Sequence, residues 1–252
     1  MDLHQLLDEK LKLYHTKDFI PLDPVSIPHL FQKKEDIEIS GLIAALFSWG
    51  QRPTIIAKSK DFLQRMDYAP HQFVMHHSED DLKNLLGFKH RTFTEADALF
   101  LVAGLKEMYS QKGGMEALFA VPPTHESVEA GINRFYDFWM QLPYSLPRFK
   151  KHLASPARKS ACKRINMFLR WMVRKDTIGV DFGLWKSIQP HQLVCPCDVH
   201  VERIARQLGL IQSHQLNWNT AMELTRNLKK FDAQDPVKYD YALFMMGISQ
   251  DH

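Results

Sequence analysis

Apolar residues recur at helical spacing along most of the chain. Leu3, Leu6, Leu7 and Leu11 share a face with Lys10, and Ile39, Leu42, Ile43, Leu46 and Phe47 repeat the pattern. The period-two alternation of a half-buried strand is absent. Ser40, Thr94 and Ser127 stand where helix N-caps are expected, while Gly104, Gly131, Gly209 and Gly247 mark punctuation or close packing. Prolines gather into connectors: Pro21, Pro24 and Pro28, then Pro122 and Pro123, then Pro143, Pro147 and Pro156, then Pro190 and Pro196. The pattern predicts an all-α fold of about ten helices. Breaks at 112–114 or at Pro122–Pro123 are candidate lobe boundaries. The first and last parts of the chain are free to pack together, so a sequence-contiguous division does not follow.

Composition narrows the class. At 252 residues, with 45% hydrophobic and 24% charged, the chain has the balance of a globular protein rather than a disordered, fibrous or coiled-coil one. No apolar run reaches the roughly 18 residues of a membrane span. The N-terminal MDLHQLLDEKLKLYH reads as an amphipathic helix rather than a secretory leader. Three cysteines argue against a disulfide framework and predict a cytoplasmic protein. The net charge of +3 says little, but its distribution says more. From Arg148 to Lys175 there are ten Lys or Arg and no Asp or Glu.

That stretch contains the most informative helix, SACKRINMFLRWMVR over 160–174. Ile165, Phe168, Leu169 and Met172 form its apolar stripe, while Lys163, Met167, Arg170 and Arg174 line up on another face. With Ser160 as cap, Lys163 falls in the first turn. There the positive end of the helix dipole, with Lys159 and Arg164 nearby, favours the free amine that an amine nucleophile needs. On spacing alone, the same face also reads as solvated or phosphate-binding. The second informative string runs from Cys195 to Leu210, in which Asp198 reads as an N-cap before the stripe Val201, Ile204, Ala205 and Leu208.

Together the two strings resemble the helix-hairpin-helix DNA glycosylase superfamily, which includes endonuclease III and the 8-oxoguanine glycosylases. Lys163-Arg164-Ile165-Asn166-Met167-Phe168-Leu169 is similar to that family's K-x-x-N-x-x-L helix, and Cys197-Asp198-Val199-His200-Val201-Glu202-Arg203-Ile204 to its V-D-x-H-V-x-R-I segment. The resemblance implies a unit of two helical lobes meeting at a cleft, with 155–210 as the hairpin-like and catalytic segment. It places the nucleophile on Lys163, the catalytic aspartate on Asp198 and supporting roles on His200 and Arg203. Lys159, Ser160, Arg164, Arg170 and Arg174, with Gln51 and Arg52 from the string IAALFSWGQR, would face DNA. Trp49, Trp185 and Tyr241 are candidates to line a base pocket. The implied activity is removal of a damaged base such as 8-oxoguanine from duplex DNA, with strand cleavage through a Schiff base, by a monomer needing no metal or cofactor. A closer likeness is to an uncharacterised bacterial family carrying FLRWMVR, GLW and DPVKYD strings; it implies no activity.

The sequence departs from the superfamily in three places. The P-G-h-G turn before the lysine is replaced by Arg158-Lys159-Ser160-Ala161, without glycine. Residues 176–190 look like an inserted loop. The four-cysteine iron–sulfur motif is missing, so no cluster is expected. Two rivals stay open: a non-catalytic DNA-binding member of the same scaffold, and a helical metal-dependent hydrolase suggested by 13 histidines.

Overall fold

Helices supply nearly all of the regular structure, as the apolar spacing predicts. The computed structural model describes residues 2–144 and 146–249. In chain order the elements are α1 (Leu3–Tyr14), α2 (Lys34–Phe47), α3 (Arg52–Gln64), α4 (Pro70–His76) and α5 (Glu79–Lys83), then β1 (Lys89–His90) and β2 (Phe93–Thr94). They continue with α6 (Glu95–Gln111), α7 (Met115–Phe119), α8 (Glu129–Met140), α9 (Lys163–Val173), α10 (Val199–Gln207), α11 (Trp218–Leu228) and α12 (Asp240–Ser249). The count exceeds the sequence expectation because α4, α5 and α7 are too short to show a period. The two-residue antiparallel hairpin β1–β2 is likewise below the length at which alternation is legible. No helix among the described residues is long and apolar enough to cross a membrane.

The chain forms two compact units, both discontinuous in sequence. One comprises Met1–Ile20, Ala120–Asn133 and Ala154–His252; the other comprises Pro21–Phe119 and Arg134–Leu153. One boundary, between Phe119 and Ala120, falls just before the Pro122–Pro123 pair, and the first and last parts of the chain share a unit.

In the second unit, α2 is buried from Ile37 to Phe47 and forms the central helix. Ser40 therefore lies inside it, with its hydroxyl donating to the Ile37 carbonyl, and is not the cap its residue type suggested. Phe47 anchors an aromatic cluster with Phe62, Phe88 and Phe93, whose ring centroids lie 5.0–5.6 Å from its own. Thr94 is a cap, as expected: its backbone N–H and its hydroxyl both donate to Asp97. Asp97 is fully buried, and although burial acts upward, its bonds to His152 and Thr94 hold its carboxyl below the usual range.

In the first unit, α12 packs on both α1 and α10, and α9 is buried from Ile165 to Val173. Phe168 and Trp171 are core residues, with the Trp185 ring set edge-on against Phe168. The loop after α9 is organised by Asp176, whose carboxylate accepts the backbone N–H groups of Ile178, Gly179, Val180 and Asp181. A β-bridge between Lys175 and Phe182 closes this turn. The segment that looked inserted is thus a compact return that brings Asp181 back against α9.

Gly104 on α6 supplies a stability test in the second unit. A Cβ there would lie 2.1 Å from the Trp139 ring. Gly104→Ala should lower stability by about 1–3 kcal/mol through overpacking, read as a reduced Tm on thermal denaturation.

Candidate functional site

The site begins with a turn. Pro156–Arg158 forms a short 3-10 turn, Lys159 then takes a left-handed conformation (φ 59°), and Cys162 takes another (φ 54°) immediately before α9. The superfamily pattern would place glycine in this turn; here non-glycine residues adopt positive φ, at a cost of order 1 kcal/mol each. The turn is pinned at both ends. Asn133 accepts from the Ser155 hydroxyl (2.7 Å) and the Ala157 amide (3.1 Å), and the Asn166 amide donates to the Ala161 carbonyl (3.2 Å). Cys162, not Ser160, is the N-cap residue; the Ser160 hydroxyl instead accepts from the Cys162 amide at 3.2 Å. The helix thus begins at Lys163. Among the described residues between α8 and α9 the regular elements are two 3-10 turns, Pro147–Lys151 and Pro156–Arg158.

Asp198 is the N-cap of α10, its Oδ1 accepting from the His200 and Val201 amides at 3.0 Å each. That leaves Oδ2 free to point elsewhere, and it lies 3.6 Å from Lys163 Nζ. The two are an ion pair, slightly too long for a hydrogen bond. Lys163 and Asp198, remote in sequence, thus meet at the first turns of two helices. Their side chains are 28% and 20% exposed, which makes them reachable. Both line a pocket of ≈ 400 Å³ whose other walls include Ser160, Arg164, Val199 and Leu216. Val199 and Leu216 are aliphatic yet 64% and 38% exposed. Sequence reasoning passed over both, since neither falls on an apolar stripe.

Two cysteines, Cys162 and Cys197, also border the pocket. Burial pushes each thiol up to about 12, against the Ser160 bond for Cys162 and with Asp198 adding to the effect for Cys197. Both are therefore inert thiols, whereas the Lys163 amine is partly exposed to the pocket.

The face of α9 beyond Lys163 corrects the sequence expectation. Arg170 and Arg174, expected at a DNA surface, are only 4% and 5% exposed. Arg170 donates to Asp240, lies 3.4 Å from Asp181 and places its guanidinium 4.1 Å from the centre of the Tyr241 ring. Arg174 pairs with Asp181 (2.9 Å), Asp235 (2.9 Å) and Asp176 (3.5 Å), and Asp176 also meets His15 at 3.3 Å. Both arginines thus face carboxylates within the fold rather than a solvent surface. Burial acts against Asp176, but His15 and the backbone amides of Asp181 and Gly179 hold its carboxyl far below the usual range. For Asp240, burial dominates over Arg170 and raises the carboxyl to about 6.

Two of the pocket residues read from sequence, Trp185 and Tyr241, lie in the same unit as Lys163. Trp185 and Tyr241 are buried, the latter donating its hydroxyl to Asp181 at 3.0 Å. Neither lines the Lys163 pocket. Trp49, Gln51 and Arg52 belong to the other unit, where Trp49 is half exposed under the Arg91 guanidinium, 4.3 Å from its ring. Arg203 donates to the Gly247 carbonyl at 2.6 Å and His200 packs on Gly247, so both support α12. Lys159 is exposed and Arg164 half-buried at the pocket edge. Sequence reasoning missed Asp240 and Phe244; the DPVKYD string contains the first, but its apolar surroundings suggested only a core helix. Among the described residues, no group of three or more His, Cys, Asp and Glu side chains is arranged to hold a metal ion.

Comparison with known proteins returns one family: that described as "Protein of unknown function (DUF2400)", which matches residues 23–249. No curated protein and no solved structure matches the chain.

Asp240 gives the network a measurable pH signature. Its folded-state value of about 6 lies above the ~3.9 of an unfolded aspartate. Its contribution is therefore fully present below about pH 4 and lost as pH rises through about 6. Asp176 is shifted the other way, and its loss falls at lower pH, outside that window. Asparagine cannot ionise, so the Tm of Asp240→Asn relative to wild type should rise between about pH 4 and 7 in a thermal-denaturation series.

Proposed function

Because the chain belongs to the DUF2400 family, whose description carries no activity, its function has to be read from its own residues, and we propose that it is a DNA glycosylase with lyase activity, using Lys163 as nucleophile and Asp198 as its partner. The observation that carries the reading is the meeting of these two side chains, 3.6 Å apart, in one open pocket. An amine beside a carboxylate suits attack on a sugar C1′ carbon. Lys163 attacks as the free amine, its nitrogen bonds to C1′, and the C1′–base bond breaks with its electron pair leaving on the base, which takes up a proton. Asp198 accepts the proton released by the amine and stabilises positive charge at C1′. Opening of the sugar ring then leaves an imine between Lys163 and C1′, from which β-elimination cuts the strand. The flipped-out nucleotide this requires costs a few kcal/mol to unstack. The superfamily likeness of the Lys163 and Asp198 strings supports the same assignment.

Borohydride reduction of the imine to a secondary amine provides the test. Incubated with duplexes carrying 8-oxoguanine, uracil, thymine glycol or an abasic site, the wild-type protein should form a covalent adduct on at least one. Lys163→Gln should abolish the adduct while leaving DNA binding within a few-fold. Asp198→Asn should slow trapping by about 10²-fold or more, the range of a lost acid–base group. Binding without an adduct on any duplex would favour a non-catalytic DNA-binding protein, a reading that the glycine-free turn also suits.

Burial of Arg170 and Arg174 changes the expected salt dependence. Arg158, Lys159, Lys163 and Arg164 remain at the pocket end of the basic stretch. If each neutralises one phosphate, log K should fall against log salt with a slope of about −3 to −4. A fluorescence-anisotropy titration over salt measures it, and a flat response would remove DNA as the ligand.

A further inference from the structure

The second unit displays an aromatic side chain that the Lys163 pocket does not use. Trp49, two residues after α2, is 51% exposed, whereas Trp139, Trp171, Trp185 and Trp218 are all buried. Its neighbours hold the exposed indole in place. Buried His90, in β1, donates from Nε2 to the Phe47 carbonyl at 3.0 Å, which fastens the β1–β2 hairpin to the end of α2. Arg91, the first residue of the two-residue hairpin turn, takes a left-handed conformation (φ 55°) that glycine ordinarily supplies there. From that position its guanidinium lies 4.3 Å from the centre of the Trp49 ring. Gly50 makes the approach possible, since a Cβ there would lie 2.9 Å from an Arg91 guanidinium nitrogen. Arg148 steadies the rest of the turn, donating to the Thr92 carbonyl at 2.8 Å and to the Thr94 hydroxyl at 2.7 Å.

The two segments that meet here are basic. From Ser48 to Lys60 and from Gly87 to Thr94 there are five Lys or Arg and no Asp or Glu. A half-exposed indole offers a flat face to a nucleobase, and the guanidinium beside it offers a charge to the neighbouring phosphate. In an intact duplex the faces of each base are covered by the bases above and below it, so the matching ligand is an unpaired strand. We propose that Trp49 and Arg91 form a binding site for single-stranded nucleic acid, the indole stacking on one base and the guanidinium meeting an adjacent phosphate. The site lies within the second unit and does not need Lys163 to react; it shares with the glycosylase reading only the class of ligand.

Tryptophan fluorescence tests this directly. Because the other four tryptophans are buried, the iodide-quenchable emission belongs to Trp49. Titrating the full-length protein at low salt with an oligothymidylate of about ten nucleotides should quench that emission saturably. Affinity, read from the anisotropy of the labelled oligonucleotide, should fall about 5- to 100-fold in Trp49→Leu, the loss of one base stack. Arg91→Gln should weaken binding and flatten the log–log salt dependence by about 0.7, the loss of one phosphate contact on a single strand. Tyr68→Leu should change neither; Tyr68 is also half exposed but follows the far end of α3, roughly 20 Å along that helix. Binding that leaves Trp49 emission unquenched, an unchanged affinity in Trp49→Leu or an equal loss in Tyr68→Leu overturns the proposal. So does no binding of the oligonucleotide, or a Trp49 response to phosphatidylserine vesicles alone, which would assign the surface to anionic lipid. A borohydride adduct on a duplex without Trp49 quenching would keep the glycosylase reading and reject this site. Quenching without any adduct would do the reverse.

Discussion

The first unit is built around one electrostatic constraint: α9 carries cations on a face that the fold buries. A guanidinium out of water without a carboxylate is costly, so every segment packed against that face has to bring an acid. Asp240 comes from the start of α12, Asp181 from the loop after α9, Asp235 from the turn before α12 and Asp176 from the base of the loop. The loop's own turn is set by Asp176, whose carboxylate collects backbone amides and also reaches His15 beyond the end of α1. Removing any of these acids would leave charge unbalanced around a buried arginine. The relative placement of α9, α12 and the 176–181 loop is thereby fixed by charge as much as by apolar packing.

The candidate site is where this rail of charges meets solvent. Arg174, Arg170 and Lys163 lie along one side of the helix, and exposure rises from 6% and 4% for the two arginine side chains to 28% for the lysine. The acid opposite each also changes character, from several carboxylates shared between the arginines to a single helix cap whose second oxygen faces Lys163. Inert thiols, two exposed aliphatic side chains and the glycine-free turn border the open end. A pocket with apolar walls and a single converging ion pair suits a ligand with a flat or apolar face and one polarised centre. A flipped nucleotide has both.

Several features were legible in the chain because they depend on neighbours in sequence. Helical periodicity gave the fold class, the residue types at Thr94 and Asp198 gave two caps, and proximity to a helix start put Lys163 in a first turn. Others were misread for lack of local signal. Ser40 has the chemistry of a cap but sits among apolar residues that continue the helix through it. Ser160 has the same chemistry but lies two residues before the actual cap, the left-handed Cys162, and the helix begins at Lys163.

The sequence by itself determined that α9 would form and that one of its faces would be cationic. Only the tertiary structure decided where those cations point. Ten basic residues without an acid among them look like a surface, since no partner lies within helical reach along the chain. The partners come from Asp181, Asp235 and Asp240, each delivered by a turn or a helix start after the chain has folded back. Local pattern specifies a helix because its hydrogen bonds join near neighbours. Whether a charge is solvated or buried depends on which remote carboxylate arrives beside it, and that is fixed by packing.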